Sequence, residues 1–115
     1  EVGKFRTPLD PLIEFWIPTI HSNLENDIGK AARAKYGNDI NCWDISKLTS
    51  LGHYAFNTIF NSRLDCWDTS RVTSMVRLFQ GAWTFNNDIN GWDTSNVEDF
   101  SSMFQDAHTF NQDIN

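Results

Sequence analysis

The sequence predicts an α/β fold, a right-handed repeat solenoid of strand–helix units of 24 or 25 residues, preceded by a short helical cap. Two observations carry that prediction. First, the tetrads Trp43-Asp44-Ile45-Ser46, Trp67-Asp68-Thr69-Ser70 and Trp92-Asp93-Thr94-Ser95 have tryptophans 24 and 25 residues apart, and a further copy begins at Gln112-Asp113-Ile114-Asn115. Second, apolar residues recur in phase with them: Leu48, Val72 and Val97, then Leu51, Met75 and Phe100, then Tyr54, Leu78 and Met103, with Phe60, Phe85 and Phe110 leading into the next copy. A unit this short cannot bury its own apolar faces, whereas stacked units share one continuous core.

Within a unit, Val97, Phe100, Phe104 and Ala107 fall at helical spacing, and Ser95 followed by Glu98 reads as a capping box. Equivalent helices are expected after Ser46 and Ser70. The Asp-Ile-Asn-Gly-Trp-Asp part is short and rich in turn formers, so it reads as a brief strand. Residues 1–35 do not repeat. Ile20, Leu24, Ile28 and Ala31 or Ala32 mark one face of a helix that ends near Gly37, which makes this segment an N-terminal cap. Residues 36–115 form the solenoid, which the pattern suggests is cut short within a unit.

With 40% apolar residues and abundant phenylalanine and tryptophan, the chain has the side chains to fold around a core. Its charge of -6 is unevenly placed. Acidic and basic residues balance up to residue 85, and beyond it stand Asp88, Asp93, Glu98, Asp99, Asp106 and Asp113 without a lysine or arginine. Such an end repels phosphate, so nucleic acid is not an expected partner. No apolar run reaches the length that crosses a bilayer.

The pattern Phe-Asn-x-Asp-Ile-x-x-Trp-Asp-Thr-Ser-x-Val, read from Phe85 onward and continued by Phe100, Met103-Phe104 and Ala107, resembles the BspA-like family of surface repeats, also catalogued as a mycoplasma lipoprotein-type domain of unknown function. The likeness covers residues 31–115 well and residues 5–30 loosely. It implies a leucine-rich-repeat-like architecture and an extracellular or cell-surface setting, with an organellar or membrane-complex association as the other option. The Val-Thr-x-Met core of that pattern is intact only at Val72-Thr73-Ser74-Met75, although the other copies keep apolar residues at its outer positions.

Chemistry is harder to find. His21, His53 and His108 are isolated from one another, no phosphate-loop, zinc-protease or nucleophile-elbow motif occurs, and Ser46, Ser70 and Ser95 recur too regularly to be one nucleophile. They read as helix caps. Asp88, Asn90 and Asp93 alternate like calcium ligands, yet no twelve-residue loop with a closing glutamate surrounds them, so hydrogen bonding to turns is the simpler role. Asp39, Arg63 and Asp88 form one column in which the arginine parts two carboxylates. Cys42 and Cys66 share a position on consecutive units and are expected to face each other, as a disulfide or as paired thiols.

No catalytic, cofactor or metal residue is therefore expected. The functional reading is a noncatalytic protein-interaction or scaffold module of the BspA-like type, with a structural subunit of a large assembly as the alternative. A protein or larger assembly is the expected partner, and a glycan would also suit such a surface.

Overall fold

In a computed structural model, which describes residues 8–10, 27–51 and 60–114, the backbone returns to the same place every 24 or 25 residues. Single parallel bridges join Ser50 to Ser74 and Ser74 to Asp99. Three coils, carrying Trp43, Trp67 and Trp92 in turn, thus lie on one another. Near-parallel rings line the interior: Phe60 on Phe85 at 5.7 Å, Phe85 on Phe110 at 5.8 Å, Phe79 on Phe104 at 5.6 Å and Trp67 on Trp92 at 6.1 Å between centroids. These spacings suit offset aromatic stacking.

The indole nitrogens extend the regularity. Trp43 Nε1 donates to the carbonyl of Gly37, Trp67 Nε1 to that of Ile40 and Trp92 Nε1 to that of Leu64, each at 2.8 Å. Each buried tryptophan so satisfies its one polar atom on the backbone that precedes it in the stack.

The strand–helix unit is the expectation that fails. Among the described residues there is no strand, one α-helix, α1 at Asp27–Tyr36, and one 3₁₀ turn at Ile40–Cys42. The leucine-rich-repeat-like solenoid is therefore replaced by a stack of turn-built coils. Hydrogen-bond competition explains why no helix follows Ser70. In coil 2 the N–H groups of Leu78, Gln80 and Ala82 turn back on the carbonyls of Met75, Arg77 and Phe79. The alternate ones, on Met75, Arg77, Phe79 and Gly81, leave the coil and donate at 2.8–3.0 Å to Asp99, Ser101, Met103 and Gln105 of coil 3. An α-helix needs every N–H for the carbonyl four residues back, so half of the donors are committed elsewhere. Left-handed backbone at Arg77 (φ 61°) and Gly81 (φ 70°), and at Ser102 and Asp106 in coil 3, breaks any helical run as well.

The proposed strands are turns too. Trp43, Trp67 and Trp92 each donate their backbone N–H to the residue three before, namely Ile40, Leu64 and Ile89. Nor do Ser46, Ser70 and Ser95 cap helices. Their backbone N–H groups donate to the carboxylates of Asp44, Asp68 and Asp93, each at 3.0 Å, forming Asx turns.

The two ends of the stack differ. Helix α1 stops where Gly37 takes φ 106°, a conformation open to glycine, and its buried Tyr36 lies against Trp43 with centroids 5.9 Å apart. Leu9, fully buried, donates its N–H to Asp44. Ile20 and Leu24 lie outside the described residues. Among the described residues, no helix is long and apolar enough to cross a membrane.

Candidate functional site

Among the described residues, the far face of coil 3 is uncovered. Phe100 on coil 3 and Ile114, where the next copy begins, are 46% and 60% exposed, while Met75, the counterpart of Phe100 one coil back, is fully buried. Between them runs a trough of about 650 Å³ floored by Met75, Ile89, Trp92, Met103 and Phe104, a volume in the usual range for ligand pockets.

A row of backbone donors borders this floor. Residues 100, 102, 104 and 106 of coil 3 stand where 75, 77, 79 and 81 stand in coil 2, and their N–H groups meet no acceptor among the described residues. The intervening N–H groups of Met103, Gln105 and Ala107 turn back on Phe100, Ser102 and Phe104, as in the coil beneath. The exposed polar atoms follow the same pattern. Asn61 Oδ1 accepts from Asn86 N and Asn86 Oδ1 from Asn111 N, which leaves the Asn111 amide oxygen at the top of that rail. Thr69 Oγ1 donates to the Asp93 carbonyl at 3.0 Å, whereas its counterpart Thr94 is exposed.

The rim is acidic. Hydrogen bonds from Ser95, first its hydroxyl and then its N–H, hold the Asp93 carboxyl below the usual carboxylate range, and Ser101 does the same for Asp99. Both stay ionised at neutral pH on a coil that also carries Glu98 and Asp106 and no lysine or arginine.

The residues singled out for chemistry are dispersed. Asp88 Oδ1 accepts from Asn90 N at 2.8 Å, so the calcium-like triplet has its carboxylates in turns, and no group of three or more metal-ligating side chains is gathered among the described residues. Arg63 pairs with Asp65 on its own coil at 2.8 Å, and the charge of Asp39 also favours its protonated form. Cys42 is half-buried and Cys66 exposed, and both are unbridged. His108 is exposed beside Trp83, with ring centroids 6.0 Å apart, while His21 and His53 lie outside the described residues. A pattern cut within a unit leaves an uncovered apolar coil at this end, and the trough lies on that coil.

Residues 22–115 match the family model described as "Mycoplasma protein of unknown function, DUF285". The chain belongs to that family. The assignment to BspA-like surface repeats is corrected accordingly, because the matching family is the DUF285 one and the strand-based coil implied by leucine-rich-repeat likeness is missing from the described residues. The scaffold role attached to that assignment loses its support with it. No curated protein and no solved structure matches the chain. What DUF285 membership brings to the site is its extent, since the match includes all three coils and the whole trough.

Proposed function

We propose that this DUF285 chain binds a polypeptide segment laid along the trough of coil 3. The observation that carries the reading is the row of four N–H groups at residues 100, 102, 104 and 106 beside an apolar floor. In coil 2 the same row is met by carbonyls at every second residue of a turn-built coil, so the guest is a segment that offers its carbonyls with that alternation. Apolar side chains of the guest would meet Trp92, Phe100 and Phe104. Its flanking charges would be basic, to suit Asp93, Glu98, Asp99 and Asp106. The proposed activity is binding and includes no catalysed step.

Selection from a library of ten-residue displayed peptides tests this, with the Phe100→Asp protein used to remove peptides that bind elsewhere. Retained peptides should be apolar and basic, and on binding should slow hydrogen exchange at the amides of residues 100, 102, 104 and 106. Peptides that bind while leaving those four amides unprotected would sink the proposal. Because Phe100 is 46% exposed, the substitution should leave the circular dichroism spectrum unchanged.

A further inference from the structure

We infer that Asn90-Gly91 is a modification site, where the asparagine side chain closes on the Gly91 backbone nitrogen, loses ammonia and reopens as an aspartyl or isoaspartyl residue. The step needs no enzyme and no reagent other than water. Asparagine is among the thermolabile residues, and Asn90 is the only one in the chain that is followed by glycine.

Ring closure needs two free groups, the backbone N–H that attacks and the side-chain amide that is attacked. The Gly91 N–H meets no acceptor among the described residues. Its counterparts are held, Cys42 N by the Asp39 carbonyl at 2.9 Å and Cys66 N by Asn41 Oδ1 at 3.0 Å. Neither of those acceptors belongs to the following coil, so the freedom of the Gly91 N–H does not depend on what lies over coil 3. The Asn90 side-chain amide also has no partner among the described residues, its backbone N–H alone being bonded, to Asp88. By contrast, Asn41, Asn61, Asn86, Asn87 and Asn96 each engage a neighbouring coil through a side-chain amide atom.

The pair is also accessible. Asn90 and Gly91 are exposed on the outer edge of the stack, and so are Asp65 and Cys66 one coil back, although coil 3 covers that coil. Glycine has no Cβ to shield its nitrogen, and one built there would meet nothing within 4 Å.

Hydroxide takes the Gly91 amide proton, and the nitrogen attacks Asn90 Cγ. A cyclic imide forms as the Cγ–nitrogen bond to the amide group breaks and ammonia leaves. Water then opens the ring at either carbonyl. Opening at Cγ gives aspartate, whereas opening at the main-chain carbonyl leaves the backbone running through Cβ and Cγ. The net change is one water taken up and one ammonia lost.

The second product acts on the fold. Trp92 N donates to the Ile89 carbonyl at 3.1 Å, closing a turn with Asn90 and Gly91 at its centre. Isoaspartate places an extra backbone atom inside that turn. It opens the bond and pulls Trp92 from its stack on Trp67 and from the Leu64 carbonyl that holds its indole.

The test ages the full chain at mildly alkaline pH in the warm and follows it by peptide mapping, with electron-transfer fragmentation to separate aspartate from isoaspartate. Asn90 should convert before any other asparagine and give both products. Gly91→Ala, placed in open space at an ordinary φ, should keep the fold and slow conversion severalfold. The aged chain should unfold at lower urea than the Asn90→Asp protein, which has the new charge without the extra backbone atom. Another asparagine converting first, or equal rates in the parent and Gly91→Ala proteins, would overturn the inference. An aged chain with the urea midpoint of Asn90→Asp would overturn the step from isoaspartate to Trp92.

Discussion

Coil 2 and coil 3 share one pattern but differ in cover, and the difference separates what a unit contributes to folding from what it leaves for binding. Val72, Met75, Phe79, Ala82 and Phe85 of coil 2 are completely buried. Their counterparts Val97, Phe104, Ala107 and Phe110 on coil 3 are half-buried, and Phe100 is exposed. The same holds for hydrogen bonds, since the outward N–H row is satisfied in coil 2 and open in coil 3. A coil is therefore stabilised largely by the next one.

The comparison breaks most readily at the paired phenylalanines. Phe79 is fully buried and lies against Phe85, Trp92 and Phe104, with centroids 4.1, 6.1 and 5.6 Å away. Phe79→Ala should cost about 3–5 kcal/mol in urea unfolding, as expected for a core aromatic. Phe104→Ala removes a ring that is only partly covered and should cost about 1–2 kcal/mol. Equal losses would mean that the two coils are equally covered in solution.

Thr69 and Thr94 test the polar half of the comparison. The Thr69 hydroxyl, 1% exposed, donates to the Asp93 carbonyl, so Thr69→Val would leave that acceptor unpaired at a cost of about 1–2 kcal/mol. Thr94→Val should change stability by less than about 0.5 kcal/mol, as for an ordinary surface site. Thermal melts of the two variants decide it. A loss at Thr94 as large as that at Thr69 would show that the open face is covered in the free protein.

Gly81 and Asp106 hold the same left-handed turn with different residues. An added Cβ at Gly81 would meet nothing within 4 Å, so Gly81→Ala tests backbone conformation alone and should cost about 1 kcal/mol at φ 70°. Asp106, at φ 60°, already carries that strain, and Asp106→Gly should stabilise by up to about 1 kcal/mol. Destabilisation by Asp106→Gly would point to a contact made by the carboxylate.

How much of this was legible in the sequence depends on which forces a pattern records. The columns of Phe85, Trp92 and Met103 were visible because apolar residues in phase report burial, and the structure stacks and buries those in coil 2. The backbone was not visible. Val97, Phe100, Phe104 and Ala107 have helical spacing, yet the spacing also fits a run of turns whose alternate donors leave the coil, and nothing in the side chains states where an N–H points. Glycine marked the left-handed position at Gly81 but not at Arg77, Ser102 or Asp106, so three of those bends had no sequence signal. Asp-x-Ser was misread for a related reason, since an Asx turn and a helix cap use the same letters. The uncovered apolar face was legible, because a pattern that stops within a unit leaves its last coil without a neighbour, whereas the donor row beside it was not.

The smallest effect expected is acidic, and it compares the equivalent carboxylates Asp68 and Asp93. Hydrogen bonds from Ser70 lower the pKa of Asp68, those from Ser95 lower that of Asp93, and the charge of Asp93 pushes Asp68 back up. A carboxylate whose folded pKa is lowered adds stability that is complete above its unfolded value, 3.8 here, and lost as pH falls through the lowered folded value. Unfolding at successive pH values should thus show a shallow loss beginning near that unfolded value and continuing below it. Ser95→Ala removes the hydroxyl donor at 2.6 Å but keeps the backbone one, so Asp93 should titrate closer to the ordinary value and its share of the pH dependence should shrink. Asp93→Asn should lower the Asp68 midpoint further by removing the neighbouring charge. Carboxyl carbon shifts followed by NMR report each midpoint separately. An Asp68 midpoint unmoved by Asp93→Asn would mean that these side chains are too far apart in solution to sense each other, and with it the registry of coil 2 under coil 3 would lose its electrostatic signature.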